Sequence, residues 1–209
     1  MGTITALRSN DRKKQVNVYI DGLFSFTIAN ELAATNRLEV GQQLSVEQII
    51  ELKEGNLYKS CFDAAVYYLG FRPRSENEVR QRLRRRGFGG EIVEKVISKL
   101  RERQLIDDLA FAEYWRNNRL SFSPRSRRLI KLELRQKGVD AETVNEAVKD
   151  LDDENAVYEA GLKKVRRLSG SNYEDFRRSL SDYLRRRGFD YMNIKCAVER
   201  LWQEKKKSY

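Results

Sequence analysis

Histidine is absent from these 209 residues. That removes the commonest general base and the usual nucleophilic triads. Only two cysteines are present, Cys61 and Cys196, far apart and without metal-ligand spacing. Two thiols and no imidazole cannot close a structural zinc tetrahedron, so reduced cysteines in a cytoplasmic protein are expected. No stretch approaches the ~20 consecutive apolar residues of a membrane span. The N-terminus MGTITALRSNDRKK has neither the apolar segment nor the cleavage site of a secretory signal. No metal and no cofactor are expected.

What is present is charge. Lys and Arg number 41 against 31 Asp and Glu, a net of +10. Residues 1–56 carry six basic and seven acidic side chains, so the whole positive excess lies in 57–209. A polyanionic partner fits that excess, which by itself says nothing about fold.

The hexapeptide LRRRGF occurs at 83–88 and again at 184–189, and a related LRQKGV falls between them at 134–139. Aligning Gly87, Gly138 and Gly188 puts Leu83, Leu134 and Leu184 four residues earlier, and Val79, Ile130 and Leu180 four before those. Six residues after the glycine stand Val93, Val144 and Ile194. Apolar pairs follow at nine and ten, then Leu100, Leu151 and Leu201 at thirteen. That +6, +9, +10, +13 spacing is one apolar stripe of a helix. The residue two after each glycine (Gly89, Asp140, Asp190) can cap that helix, while the glycine ends the preceding one in a left-handed conformation. Pro-Arg-Ser opens the first two of these preceding helices, at 73–75 and 124–126. Ser75 with Glu78, and Ser171 with Glu174 in the third unit, read as capping boxes.

The pattern therefore predicts a mainly α protein with three tandem three-helix repeats forming an elongated array, at 56–106, 107–155 and 156–209. Before them, QVNVYIDGLFSFTI alternates Val16, Val18, Ile20 and then Phe24, Phe26, Ile28 around Asp21-Gly22, a hairpin signature. ITAL adds a candidate third strand, and Ser45 caps a helix in SVEQIIELK. Residues 1–55 are expected to form a small β-hairpin-containing module.

Basic residues concentrate on the second helix of each repeat. Residues 72–86 hold seven arginines, 116–137 hold eight basic side chains against Glu133 alone, and 163–187 hold nine. By contrast, 139–155 has seven acidic residues and only Lys149. A helix-turn-helix reader would push that acidic helix into the major groove, so contacts to phosphate are expected rather than base reading. Solvated helix faces are the bland explanation for any single charge run; three equivalent runs suggest a positive stripe. Tyr67, Tyr68, Phe111, Tyr114 and Trp115 are read as core residues ahead of a base-stacking platform. Asp107 or Asp108 is read as a helix cap, not a metal ligand. GFGG at 87–90 lacks the context of a dinucleotide loop, and no catalytic constellation is found.

RPRSENEVRQRLRRRGF, KLRERQLIDDLAFAEYWRNNR and PRSRRLIKLELRQKGV, in that order, resemble the RecX family of bacterial recombinase regulators. The likeness covers about residues 60–209, and the N-terminal hairpin module resembles an extension of longer members. The matching positions are Arg72, Arg74, Ser75, Glu76, Asp107, Asp108, Phe111, Ala112, Trp115 and Arg119. The resemblance implies a non-enzymatic monomer that lies in the groove of the RecA–DNA filament and inhibits ATP hydrolysis, strand exchange and filament extension. Its partners would be the RecA recombinase filament and single-stranded DNA, with double-stranded DNA a further candidate. Candidate contact residues are Arg72, Arg74, Arg84, Arg85 and Arg86; Arg119, Arg125, Arg127, Arg128 and Lys131; and Arg185, Arg186 and Arg187. The alternative from charge alone is a stand-alone, non-sequence-specific nucleic-acid-binding protein.

Overall fold

The computed structural model describes residues 1–12, 14–166, 168 and 172–207. They divide into two compact units, residues 1–70 with 82–99 and residues 71–81 with 100–209.

In the first unit, β1 (Gly2–Asn10), β2 (Gln15–Ile20), β3 (Leu23–Ala29) and β4 (Gln43–Leu44) form an antiparallel sheet in the order β3-β2-β1-β4. The β2–β3 hairpin turns on Asp21 and Gly22, with φ of 50° and 82°. Two successive left-handed residues match the right-handed twist of the strands, which is why Asp-Gly sits there. Ile4, Val18, Phe26 and Ile28 form the inner face against α1 (Asn30–Thr35) and Leu52 of α2 (Val46–Leu69). Phe24 departs from the expected alternation. Val18 pairs with Phe26 but Tyr19 pairs with Phe24, so Ser25 is an extra residue in a bulge. One extra residue moves everything beyond it to the opposite face. Phe24 is accordingly exposed, its ring edge-on to Tyr19 at 5.9 Å.

Helix α2 runs without a break from Val46 to Leu69. The helix expected in SVEQIIELK and the one expected in CFDAAVYYL are thus one element, and the expected boundary at 55/56 falls inside it. Ser45 caps it in a capping box with Gln48. Cys61 and Ala65 of α2 are buried, as are Leu83, Val93, Val96 and Ile97 on α3 (Glu76–Arg85) and α4 (Gly90–Glu102). Burial pushes the Cys61 thiol up to about 11.

The second unit holds α5 (Asp108–Phe122), α6 (Arg127–Gln136), α7 (Ala141–Ala147), α8 (Asp153–Val165), α9 (Tyr173–Arg185) and α10 (Tyr191–Lys207). Helices α5–α7 close over Phe111, Ile130, Leu134, Val144 and Val148. Helices α8–α10 close over Phe176, Leu180, Leu184, Ile194 and Leu201. Every apolar position of the repeat alignment named above is buried. Gly87, Gly138 and Gly188 all have φ between 82° and 89°, the left-handed stop that the alignment required. In the first two turns the amides of Phe88 and Val139 reach back to the carbonyls of Leu83 and Leu134 at 3.3 and 3.2 Å. The expected cap at Ser171 lies outside the described residues. Asn172 caps α9 instead, accepting from the Asp175 amide. The third unit has buried Phe176 at the offset occupied by Ser75 and Ser126, so α9 starts earlier.

Candidate interaction surface

Within the second unit, the first turn of α3 is seated on the last turn of α6. Ser75, fully buried, caps its own helix by accepting from the Glu78 amide at 3.1 Å, and donates its hydroxyl to the Lys137 carbonyl at 2.7 Å. That carbonyl is one of the acceptors a helix end leaves unpaired. Asp108 adds a carboxylate oxygen to the Glu76 amide at 2.8 Å, while Asp107 caps α5 through the amides of Leu109 and Ala110. Asp108 thus serves the neighbouring helix, and burial pushes its carboxyl up.

The same seat recurs one repeat later. The first turn of α6 lies on the Gly188 turn, where the Ser126 amide donates to the Arg187 carbonyl at 3.0 Å. Asp153, the counterpart of Asp108, accepts from the Arg127 amide at 2.6 Å. A Cβ on Gly138 would stand 2.4 Å from Asn77, and one on Gly188 would stand 2.6 Å from the Ser126 hydroxyl. At Gly87 a Cβ would meet nothing within 4 Å.

A chain of charges runs beside the first seat. Lys137 pairs with Glu78 at 2.9 Å, and Arg72 with the same carboxylate at 2.9 Å. Burial raises the Glu78 carboxyl, but Arg72 and Lys137 outweigh it and hold the group below its ordinary value. Glu76 behaves likewise between Arg101 and Arg80. Glu133, the lone acid of its basic stretch, is buried and accepts from Trp115 Nε1 and Arg119 Nε, each at 2.7 Å, and from Arg125. Burial lowers both guanidinium groups, which still match one carboxylate between them. The Trp115 ring lies between Arg119 at 4.2 Å and Lys137 at 4.1 Å.

This sorts the candidate arginines. Arg72, Arg119 and Arg125 hold buried or half-buried glutamates; Arg74 is half-buried. Arg187 stacks on Tyr183 at 4.3 Å and donates to the Ser123 hydroxyl and the Pro124 carbonyl. Lys131 reaches Asn145, and Arg127 reaches the Leu151 carbonyl. Arg84 and Arg185 make exposed pairs with Glu94 and Asp182. Arg85 and Arg86 in the first unit, and Arg128 and Arg186 in the second, are exposed and engage no partner among the described residues. Sequence reasoning counted positive charge and passed over the acids that claim part of it. The isolation of Glu133 among eight cations was the available signal.

The aromatics divide as well. Phe111 is core and Trp115 lies within the charge network. Tyr67 is 66% exposed and Tyr114 37%, so neither is core. Arg82 lies 5.6 Å over the Tyr68 ring. Among the described residues no group of three or more Cys, Asp or Glu side chains could hold a metal, and no helix is long and apolar enough to cross a membrane.

Residues 61–100 match the family model described as the first three-helix domain of RecX, and residues 107–148 match its second. Regulatory protein RecX of Lactobacillus gasseri is 30% identical over 209 residues, covering 98% of this chain and 77% of the relative. That of Clostridioides difficile is 30% identical over 206 residues, covering 96% of each. A crystal structure of regulatory protein RecX superposes with a TM-score of 0.69 at 23% identity, over 95% of this chain and 100% of that one, a likeness of fold. RecX from Lactobacillus salivarius gives 0.60 at 25% identity, over 70% of this chain and 97% of that one. With the repeat, its glycine turns and both three-helix domains in place, the chain belongs to the RecX family of regulatory proteins.

Proposed function

We propose that this protein is a non-enzymatic cytoplasmic regulator that binds the RecA–DNA filament as a monomer and restrains its ATP hydrolysis, strand exchange and growth. The observation that carries the reading is the recurrence of exposed arginines with uncommitted side chains on the second helices and in the turns that end them: Arg85 and Arg86, Arg128, and Arg186. Cations presented at each repeat suit a ligand whose charge also repeats, and their contribution falls with salt. The contact set proposed is therefore these four, supplemented by Arg84 and Arg185, whose exposed carboxylate partners exchange readily with water. Arg127 joins them, being exposed and pairing through its side chain with no carboxylate among the described residues. Arg72, Arg119 and Arg125 act through the glutamates they hold, and Arg187 through the second seat.

The test is ATP hydrolysis by preformed RecA–single-stranded DNA filaments titrated with this protein. Inhibition well below one molecule per RecA supports a filament-acting regulator. Inhibition only when the DNA is saturated supports the second reading, a stand-alone nucleic-acid binder, which the excess of positive charge in 57–209 favours. Order of addition separates the two, because a competitor for naked DNA acts poorly on filaments already formed.

A further inference from the structure

The repeat alignment extends one step upstream of Pro-Arg-Ser, to a phenylalanine. Phe71 precedes Gly87 by sixteen residues and Phe122 precedes Gly138 by sixteen, giving F-x-P-R-S at 71–75 and 122–126. These are the two most exposed phenylalanines among the described residues, 66% and 77%, and both lie in the second unit. Asn172 takes this offset in the third repeat and is used there as a cap.

The segments behind the rings are firmly held. After Phe71, Arg72 binds the Pro73 carbonyl and Glu78, and Ser75 is wholly buried. After Phe122, the Ser123 amide closes α5 on the Arg119 carbonyl at 2.9 Å, its hydroxyl receives Arg187, and Pro124 and Ser126 are buried. Two rings are therefore presented to water on an ordered support, at the same register of successive units. A side chain that can be buried at little ordering cost is a good anchor.

The chemistry beside the rings selects the partner. Base-stacking platforms have cations alongside to hold the phosphates. Here the neighbouring cations are already engaged. Beside Phe71, Arg72 is held by Glu78 and Arg74 is half-buried. Beside Phe122, Arg119 and Arg125 are held by Glu133, Arg187 by the Ser123 hydroxyl and Pro124 carbonyl, and Lys163 by the Ser121 carbonyl. An apolar pocket on a protein suits such rings better. Two equivalent anchors, moreover, require the same pocket twice, which a polymer of identical subunits offers and a single globular partner does not. A second ring delivered by the first binds at high effective concentration.

We infer that Phe71 and Phe122 are twin anchors that enter equivalent apolar pockets on neighbouring protein subunits of a filament. This rests on the filament reading above. The test measures binding of the full chain to preformed RecA–single-stranded DNA filaments and, separately, to naked single-stranded DNA. Compared with the parent are Phe71→Ser, Phe122→Ser, the double serine variant and the double leucine variant. Each serine should weaken filament binding about tenfold, and the pair more than either alone. Leucine at both sites should retain most of the affinity, since a pocket accepts an aliphatic group. Naked-DNA binding and melting temperature should not change. Parental affinity in the double serine variant would overturn the proposal alone. So would a common loss of naked-DNA affinity in the serine and leucine pairs, which points to base stacking, or a melting temperature several degrees lower, which makes the rings structural. Failure of the parent to bind filaments would overturn the filament reading and this proposal together.

Discussion

The seat at Lys137 and the seat at Arg187 place the same helix end on the same glycine turn, yet they are fastened by different groups. At Lys137 the serine hydroxyl makes the crossing bond, and a carboxylate shared by Lys137 and Arg72 lies beside it. At Arg187 the serine backbone amide makes it, and the cation turns onto a tyrosine ring, a hydroxyl and a carbonyl. An aspartate from the first helix of the next repeat closes both. The repeat thus preserves a need, an acceptor for a helix's first amides and a donor for another's last carbonyls, while leaving the supplying atoms free to vary.

Removing the buried carboxylate that Trp115, Arg119 and Arg125 share, joined to the first seat through the Trp115 ring and Lys137, is the most severe way to break this comparison. Glu133→Ala leaves Arg119 and Arg125 facing each other without their shared acid and should cost about 4 kcal/mol in urea denaturation. The three aligned glycines sharpen it. Gly138→Ala and Gly188→Ala add backbone strain to a collision with Asn77, or with Ser126 and Leu129, and should each cost roughly 2–3 kcal/mol. Gly87→Ala meets only the strain, about 1 kcal/mol. Equal losses at all three would mean that the seats contribute nothing beyond the turn. Smaller still is the contrast between the serines. Ser75→Ala loses a cap and the crossing bond, about 2 kcal/mol, whereas Ser126→Ala loses only its cap to the Leu129 amide, about 1 kcal/mol.

Acid should divide the seats most gently. Glu78 is held below its ordinary 4.5, so its contribution is complete above that pH and is lost as pH falls through the lower folded-state value. Asp108 is shifted the other way: its ionisation costs stability once pH rises past its folded-state value, so protonation relieves it. Melting temperature measured downward from pH 5 should drop in the parent and drop less in Glu78→Gln. Identical slopes would remove Glu78 from the first seat.

Much of this architecture was legible because glycine and apolar spacing are read by the backbone locally. Gly87, Gly138 and Gly188 announce left-handed stops, and Asp21-Gly22 announces its turn, whatever surrounds them. Helix α2 was hidden because Gly55 looks like punctuation, while a helix packed against a sheet tolerates one glycine. Phe24 was misplaced because alternation assumes no bulge. The arginines were the hardest to read, since sequence counts charge and cannot tell which carboxylate claims it. Arg125 and Arg128 are three residues apart; one is held by Glu133 and the other faces water.

The two tryptophans stand at different places in this scheme. The indole of Trp115 donates to Glu133 between two cations at the Lys137 seat, and that of Trp202 rests on Phe176 and Tyr173 in the third repeat. Intrinsic fluorescence therefore carries two local signals with no dye attached. The emission of Trp115 will shift when the first seat parts, and that of Trp202 when α9 leaves α10, so a single optical titration can show whether the units let go together or in turn.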